Sequence, residues 1–382
     1  MKRTICVITG TRADYGIYFP ILKAIESSKG LGLHLVATGM HLMKEFGYTV
    51  REIARDGFAV HDRIDASEAE DTGAGMARSA GKALIGFSKV FARSKADIIL
   101  ILGDRGEMLA ASIAANYLNI PIAHIHGGEV SGHVDEIFRH AITKLSHMHF
   151  PATEKARQRI LRLGEDPKYV FRCGAPALDR IVKEGLPDKK YISAKFGVRA
   201  DRPFLLVVQH PVLTSSEESA RHMKITLEAV AHFRIPAVVI YPNADAGGKK
   251  MIRVIRGYKR NGLMKVFKSI PHREYLALMK YSAGIIGNSS SAVIEAPSFK
   301  IPAVNIGSRQ DGRERSSNII DVGHSKAAII HAIGTILYDR KFKAGLKRCV
   351  NPYGDGHASE RIVNVLRSIP LDKRLLQKRI LY

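Results

Sequence analysis

The chain has 382 residues, 46% of them hydrophobic, and 59 Lys+Arg against 36 Asp+Glu give a formal net charge of +23. That length suggests two domains with enough apolar content for two cores, while no apolar run approaches the roughly 20 residues of a bilayer span, so no membrane partner is expected. Cys6, Cys173 and Cys349 lie far apart, which excludes a disulfide framework or a Cys-based zinc site and points to a reducing cytoplasm.

In chain order, residues 4–9 read as a buried first strand rather than a leader, followed by Gly10-Thr11-Arg12-Ala13-Asp14-Tyr15-Gly16 and a helix to about Ser27. A glycine turn feeding a helix N-terminus is a generic anion site. It matches neither a P-loop nor G-x-G-x-x-G, but Arg12 adds a group suited to phosphate. A second strand is expected over 31–38 and a helix over 44–56. A short strand follows over 59–64, then an acidic mobile loop over 65–75 and a helix over 72–94. The apolar runs 98–102 and 120–125, separated by a helix, read as parallel strands buried on both faces. They stop at Gly103-Asp104-Arg105 and His126-Gly127-Gly128-Glu129. A helix then runs from Asp135 to 148, with His140, Lys144 and His147 at helical spacing on one face. Residues 150–153 and 170–173 read as further strands, 174–179 as an exit turn and 185–190 as a linker. The second half repeats the pattern with strands over 204–208, 237–240, 264–267, 284–286 and 302–306, and basic helices close the chain after His357. The expected units are residues 1–184, 185–365 and a basic tail over 366–382.

Ligands in open parallel sheets sit outside the carboxyl ends of the strands. The run 103–136 therefore delivers Asp104, Glu129 and Asp135 to one edge, and crowded carboxylates can serve as acid and base at one pH. His210, at a strand end, can donate to a phosphate or shuttle a proton. Gly287-Asn288-Ser289-Ser290-Ser291 at a helix start offers hydroxyls and N–H groups to a diphosphate. Glu295, one turn on, can accept ribose hydroxyls, and Arg309 and Arg313 can neutralise phosphate charge. His124, His126, Glu129 and His133 raise a metal reading, but no zinc spacing appears and no metal is expected. Ser289–Ser291 lack a G-x-S-x-G elbow, so a serine nucleophile is not expected either. The basic residues punctuate amphipathic helices without aromatic interleaving or a nucleic-acid motif, so no nucleic-acid partner is expected; the charge suits phosphorylated substrates.

These motifs, with Arg139-His140-Ala141-Ile142-Thr143-Lys144, Asn243-Ala244-Asp245-Ala246-Gly247 and Glu295-Ala296-Pro297-Ser298, resemble the UDP-N-acetylglucosamine 2-epimerase family over about residues 4–361. The similarity is to its hydrolysing branch, which feeds sialic and related nonulosonic acid synthesis. The resemblance implies an α/β, GT-B-like fold of two Rossmann-like doubly wound domains with UDP in the interdomain cleft. It implies UDP contacts from Arg12, Arg105, His210, Asn243, Ser289, Ser290, Glu295 and Arg309, and acid/base roles for Asp104, Glu129 and Asp135. No cofactor is implied, and a homo-oligomer, dimer or tetramer, is. One departure concerns His126: some relatives carry a catalytic Glu there, others His.

The implied reaction is UDP-N-acetylglucosamine plus water to N-acetylmannosamine plus UDP, by elimination of UDP to a glycal and hydration with inversion at C2. Two alternatives share the cleft. One is the same reaction on UDP-2,4-diacetamido-2,4,6-trideoxyglucose, on a legionaminic-type route. The other is sugar transfer by a GT-B glycosyltransferase.

Overall fold

A computed structural model describes residues 2–132, 135–260 and 262–381. His133, one of the residues weighed for a metal, lies outside them. The first sheet contains β1 (Arg3–Thr9), β2 (Leu31–Thr38), β3 (Asp62–Ile64), β4 (Ile98–Leu102), β5 (Ile122–Ile125) and β6 (Met148–Phe150), in the order β3-β2-β1-β4-β5-β6. The second contains β7 (Leu205–Val208), β8 (Ala237–Ile240), β9 (Met264–Phe267), β10 (Gly284–Gly287), β11 (Ala303–Ile306) and β12 (Ile319–Val322), in the order β12-β11-β10-β7-β8-β9. Every pairing is parallel. Both orders are the doubly wound 3-2-1-4-5-6 arrangement, with the switch point between β1 and β4 in one sheet and between β7 and β10 in the other.

The central strands are continuous apolar runs because both faces are covered. All five residues of β4, Ile98–Leu102, are buried. Ile5, Val7, Leu100 and the helix residues Ile21 and Leu22 form one core of the first lobe, and Cys6, Ile99, Phe87 and Met108 form the core on its other face. Val207, Val239 and Met223 against Leu206, Val238 and Leu276 do the same for the second sheet.

Several expectations are corrected. The helix expected over 44–56 is a 3-10 turn, Lys44–Phe46, and a short helix, Val50–Arg55, broken at Gly47, whose backbone is left-handed (φ 104°). The helix from Asp135 ends at Leu145, so His147 leaves the His140/Lys144 face and leads into β6. The strand expected over 150–153 is β6 itself, Met148–Phe150, and the one over 170–173 reduces to a single bridge between His149 and Val170. Residues 177–179 open a helix, Ala177–Lys183, and the linker ends at Asp188, which caps the helix Lys189–Phe196. The acidic loop over 65–75 is anchored. Asp71 accepts from the backbone N–H groups of Gly247 (3.1 Å) and Lys249 (3.0 Å), at the start of the helix Gly248–Gly257 across the cleft. A carboxylate there meets the positive end of the helix dipole.

The last long helix, Ala358–Ser368, returns to the first lobe, where Ile362, Val363 and Leu366 join the core around Ile5 and Leu22. Residues 358–365 thus pack away from the second unit in which the sequence places them. The helix has no side-chain cap of its own; the fully buried Asp179 accepts from Ala358 N (2.9 Å) and Ser359 N (2.7 Å) instead. Asp179→Ala is expected to cost about 2–4 kcal/mol, since it removes a cap and strands two buried donors. A urea midpoint within error of the parent chain's would rule this out.

Candidate functional site

The C-terminal ends of both sheets meet at one cleft of about 220 Å³. Its lining includes Arg12 after β1, Asp104 and Arg105 after β4, His126 and Glu129 after β5, and Asp135 at the head of the helix Asp135–Leu145. From the second lobe come His210 after β7, Asn243 after β8, Ser289 and Ser290 after β10, and Arg309 and Arg313 after β11. Of the residues singled out from sequence for the diphosphate, the ribose or a metal, Asn288, Ser291, Glu295 and His124 do not line it. Glu295 is buried behind Ser291, with His272 Nε2 3.4 Å from its Oε1.

The turn after β1 does not offer the anion site expected of it. Asp14 folds back and accepts from Gly10 N (3.0 Å), Thr11 N (2.9 Å) and Thr9 Oγ1 (2.7 Å), and Thr11 in turn caps Asp14 N. The chain's own carboxylate fills the nest, and burial pushes it up to about 6. Arg12 instead reaches across and donates to Ile270 O.

Glu129 is 5% exposed and both of its oxygens are engaged: Oε1 lies 2.5 Å from His126 Nδ1 and Oε2 lies 2.9 Å from Arg313 Nη1. Burial opposes its ionisation, but Arg313 and His126 outweigh burial and bring it to about 2. His126 sits at φ 63°, an unusual conformation for a residue with a side chain. Gly128 follows at φ 75°, where a Cβ would meet Ala156 O at 2.2 Å, so this turn requires glycine.

Asp104 is paired with Arg139. Burial would raise its carboxyl, but Arg139, Arg313 and Arg309 hold it below the usual range. Arg139 is 1% exposed and also donates to Glu129 O (2.9 Å) and Ser131 Oγ (3.3 Å). Sequence reasoning assigned Arg139 no role beyond a motif. Its signal was the four-residue spacing from Asp135, which puts both on one helix face. Asp135 lies 3.9 Å from Arg309 Nη2.

On the second lobe, Asn288 clamps the strand end: its Oδ1 accepts from His210 N (2.7 Å) and its Nδ2 donates to His210 O (2.9 Å). His210 Nδ1 accepts from Asn243 N (3.1 Å), so the ring's proton belongs on Nε2. Burial, then Arg309, brings His210 down to about 3, which makes it a neutral donor rather than a proton carrier in the ligand-free chain. Gly287 at φ 133° is needed here too, because a Cβ would lie 2.1 Å from Val208 O. The serines open only a one-turn helix, Ser291–Ile294, and Ser289 Oγ bonds Ser291 Oγ at 2.9 Å. Arg309 and Arg313 are mostly buried and ion-paired, not a solvated loop. Among the described residues no cluster of three or more His, Cys, Asp or Glu side chains is placed to hold a metal. No helix among them is long and apolar enough to cross a membrane.

Two doubly wound lobes with facing switch points, acids on one, a His/Asn/Ser set on the other and arginines from both, define a GT-B-like α/β enzyme. The chain belongs to the UDP-N-acetylglucosamine 2-epimerase family, whose profile matches residues 23–367. It is 40% identical over 378 residues to UDP-N,N'-diacetylbacillosamine 2-epimerase (hydrolyzing) of Legionella pneumophila, covering 99% of each chain. It is 35% identical over 372 residues to polysialic acid biosynthesis protein P7 of Escherichia coli, covering 97% of this chain and 94% of that one. The fold matches the crystal structure of UDP-GlcNAc 2-epimerase from Neisseria meningitidis bound to UDP-GlcNAc, with a TM-score of 0.79, 18% identity and coverage of 95% and 99%.

Burial also holds His41 and His124, beneath this cleft, down to about 3, as it does His210. Each lies below its value of about 6.5 in the unfolded chain, so unfolding takes up protons below that pH and stability falls as pH drops toward 3. Asp14, raised to about 6, works the other way for one proton. The protein should therefore lose stability between pH 7 and 5: these four groups together take up about two protons on unfolding near pH 5, and His147 and His324, held down to about 4 by burial, add to the uptake in the same direction. Urea titrations at the two pH values test this, and equal midpoints would contradict it.

Proposed function

We propose that this chain catalyses a hydrolysing 2-epimerisation of a UDP-linked N-acetylated hexosamine, with UDP-N-acetylglucosamine giving N-acetylmannosamine and UDP. The observation that carries this reading is that one cleft brings the acids Asp104, Glu129 and Asp135 of the first lobe opposite His210, Asn243, Ser289 and Ser290 of the second. His210 Nε2, Ser289, Ser290 and Asn243 receive the diphosphate. Arg12, Arg105, Arg309 and Arg313 balance its charge. These groups stabilise the leaving group as negative charge builds on it.

The C2 hydrogen of the sugar is barely acidic. Breaking the C1–O bond sends its electron pair to the β-phosphate and leaves C1 electron-poor, which acidifies that hydrogen. Removal of the proton leaves a C1=C2 glycal. Water then adds its oxygen to C1, and a proton is delivered to the opposite face of C2. The side of the cleft lined by Asp104, His126, Glu129 and Asp135 manages these transfers, each transfer worth about 10²–10⁴-fold.

A second reading keeps the chemistry and changes the sugar to UDP-2,4-diacetamido-2,4,6-trideoxyglucose. It is favoured by the 40% identity with the Legionella pneumophila protein, whose name specifies a diacetylated bacillosamine substrate. Both sugars can be supplied in deuterated water and the products weighed. The expected result for the true substrate is free sugar and UDP, with one deuterium at C2. Product that keeps its original C2 hydrogen, or sugar passed to an acceptor without release of a free mannosamine-type product, would overturn the reaction class.

A further inference from the structure

We infer that His126 is the base that removes the C2 proton, with Glu129 as its positioning residue. This rests on the elimination reading above. Glu129 is a poor shuttle, because Oε1 is held by His126 Nδ1 at 2.5 Å, Oε2 by Arg313 Nη1 at 2.9 Å, and its backbone carbonyl by Arg139 at 2.9 Å. A carboxylate fixed by two cations or donors is ionised and stationary. It does for His126 what a buried carboxylate does for any imidazole base: it fixes the tautomer with the proton on Nδ1 and stabilises the imidazolium once formed.

The other ring nitrogen supplies the second half of the argument. His126 lines the cleft and is 6% exposed, yet Nε2 is buried with no hydrogen-bond partner among the described residues. An orphaned buried nitrogen costs about 1–3 kcal/mol, and such a group in a native fold calls for an explanation, of which a catalytic role is one. The backbone around it is strained in the same sense. His126 holds φ 63° while its N–H donates to Phe150 O at 3.1 Å, which fixes the ring at the end of β5 rather than letting it relax. In the tautomer with Nδ1–H directed at Glu129, the lone pair is on Nε2.

The step balances as follows. The C1–O pair leaves with the β-phosphate, Nε2 takes the C2 proton, and the C2–H pair closes the C1=C2 bond. Hydration puts hydroxyl on C1 and a proton from the protonated carboxyl of Asp135 on the other face of C2. Water's second proton restores that acid, and the imidazolium sheds its proton to solvent as UDP departs.

The test compares His126→Ala and the near-isosteric His126→Gln with the parent enzyme in deuterated water. The expected outcome is a fall in kcat of about 10²–10⁴-fold in both, with UDP affinity held within a few-fold, and partial return of activity to His126→Ala with tens of millimolar imidazole. Glu129→Gln should lower kcat less than His126→Gln and should not respond to imidazole. Retention of activity within a few-fold in either His126 variant overturns the assignment. So does a loss in His126→Ala that imidazole leaves unchanged while UDP still binds. If His126→Ala no longer binds UDP, His126→Gln decides by its kcat alone. Failure of the parent enzyme to place deuterium at C2 instead removes the elimination reading beneath the proposal, whatever the variants do.

Discussion

Four arginines span the cleft, two in each direction, and the site's properties follow from where they end. Arg12 and Arg105 leave the first lobe for Ile270 O and Asp245 of the second. Arg309 and Arg313 leave the second lobe for Asp135 and Glu129 of the first. Each lobe thus completes the charge balance of the other. An arginine stays charged when buried and meets a carboxylate or a phosphate with the same fork geometry. On the function proposed above, a diphosphate would compete for guanidinium groups, of which those of Arg105, Arg309 and Arg313 are now held by acids. Binding and the ionisation of the acids are therefore one electrostatic problem. Removing an arginine from its acid raises that acid's proton affinity.

The sheets make this arrangement possible through a topological coincidence. Each has its switch point beside its first strand, and the residues that leave there, Arg12 and Asp104-Arg105 in one lobe, His210 and Ser289-Ser290 in the other, face the same gap. The close approaches need glycine at specific points. Gly287 brings β10 within reach of the Val208 carbonyl, and Gly128 turns the chain against Ala156. A side chain at either would move the strand end, and with it Asn288 or Glu129, by more than a hydrogen bond tolerates.

Much of the fold was legible because parallel strands covered on both faces leave unmistakable apolar runs, as at Ile98–Leu102 and Ala237–Ile240. β12, IIDV, escaped notice because it is only partly buried and carries an aspartate, as an edge strand does. The return of the helix Ala358–Ser368 to the first lobe was not legible at all. Its apolar face reads the same whichever core receives it, and the partner that fixes its start, Asp179, is nearly 180 residues away. Within the site, strand-end logic found the acids and the arginines. It did not find which acid is committed, because the bond between His126 and Glu129 depends on a left-handed residue that no local pattern announces. The nest after β1 misled for a related reason. The glycine turn promised free N–H groups to an anion, but Asp14, the third residue of the helix's capping box, consumes those of Gly10 and Thr11.

The two candidate sugars share C1, C2 and the acetamide at C2, so everything argued about proton transfer applies to both, and the choice between them is a matter of pocket contacts at C4 and C6. Those positions differ in kind. At C6, hydroxymethyl is replaced by methyl, and a site without a donor or acceptor there separates the two by only about 1–3 kcal/mol, whereas a site built to bond the hydroxyl rejects the deoxy sugar far more strongly. At C4, hydroxyl gives way to acetamide, which adds volume as well as a donor and an acceptor, and a closed wall excludes it sterically. An enzyme for the diacetamido sugar can therefore tolerate N-acetylglucosamine as a slow substrate, while one built around the C4 and C6 hydroxyls cannot accept the diacetamido sugar in return. That asymmetry makes cross-reactivity itself diagnostic of which sugar shaped the cleft.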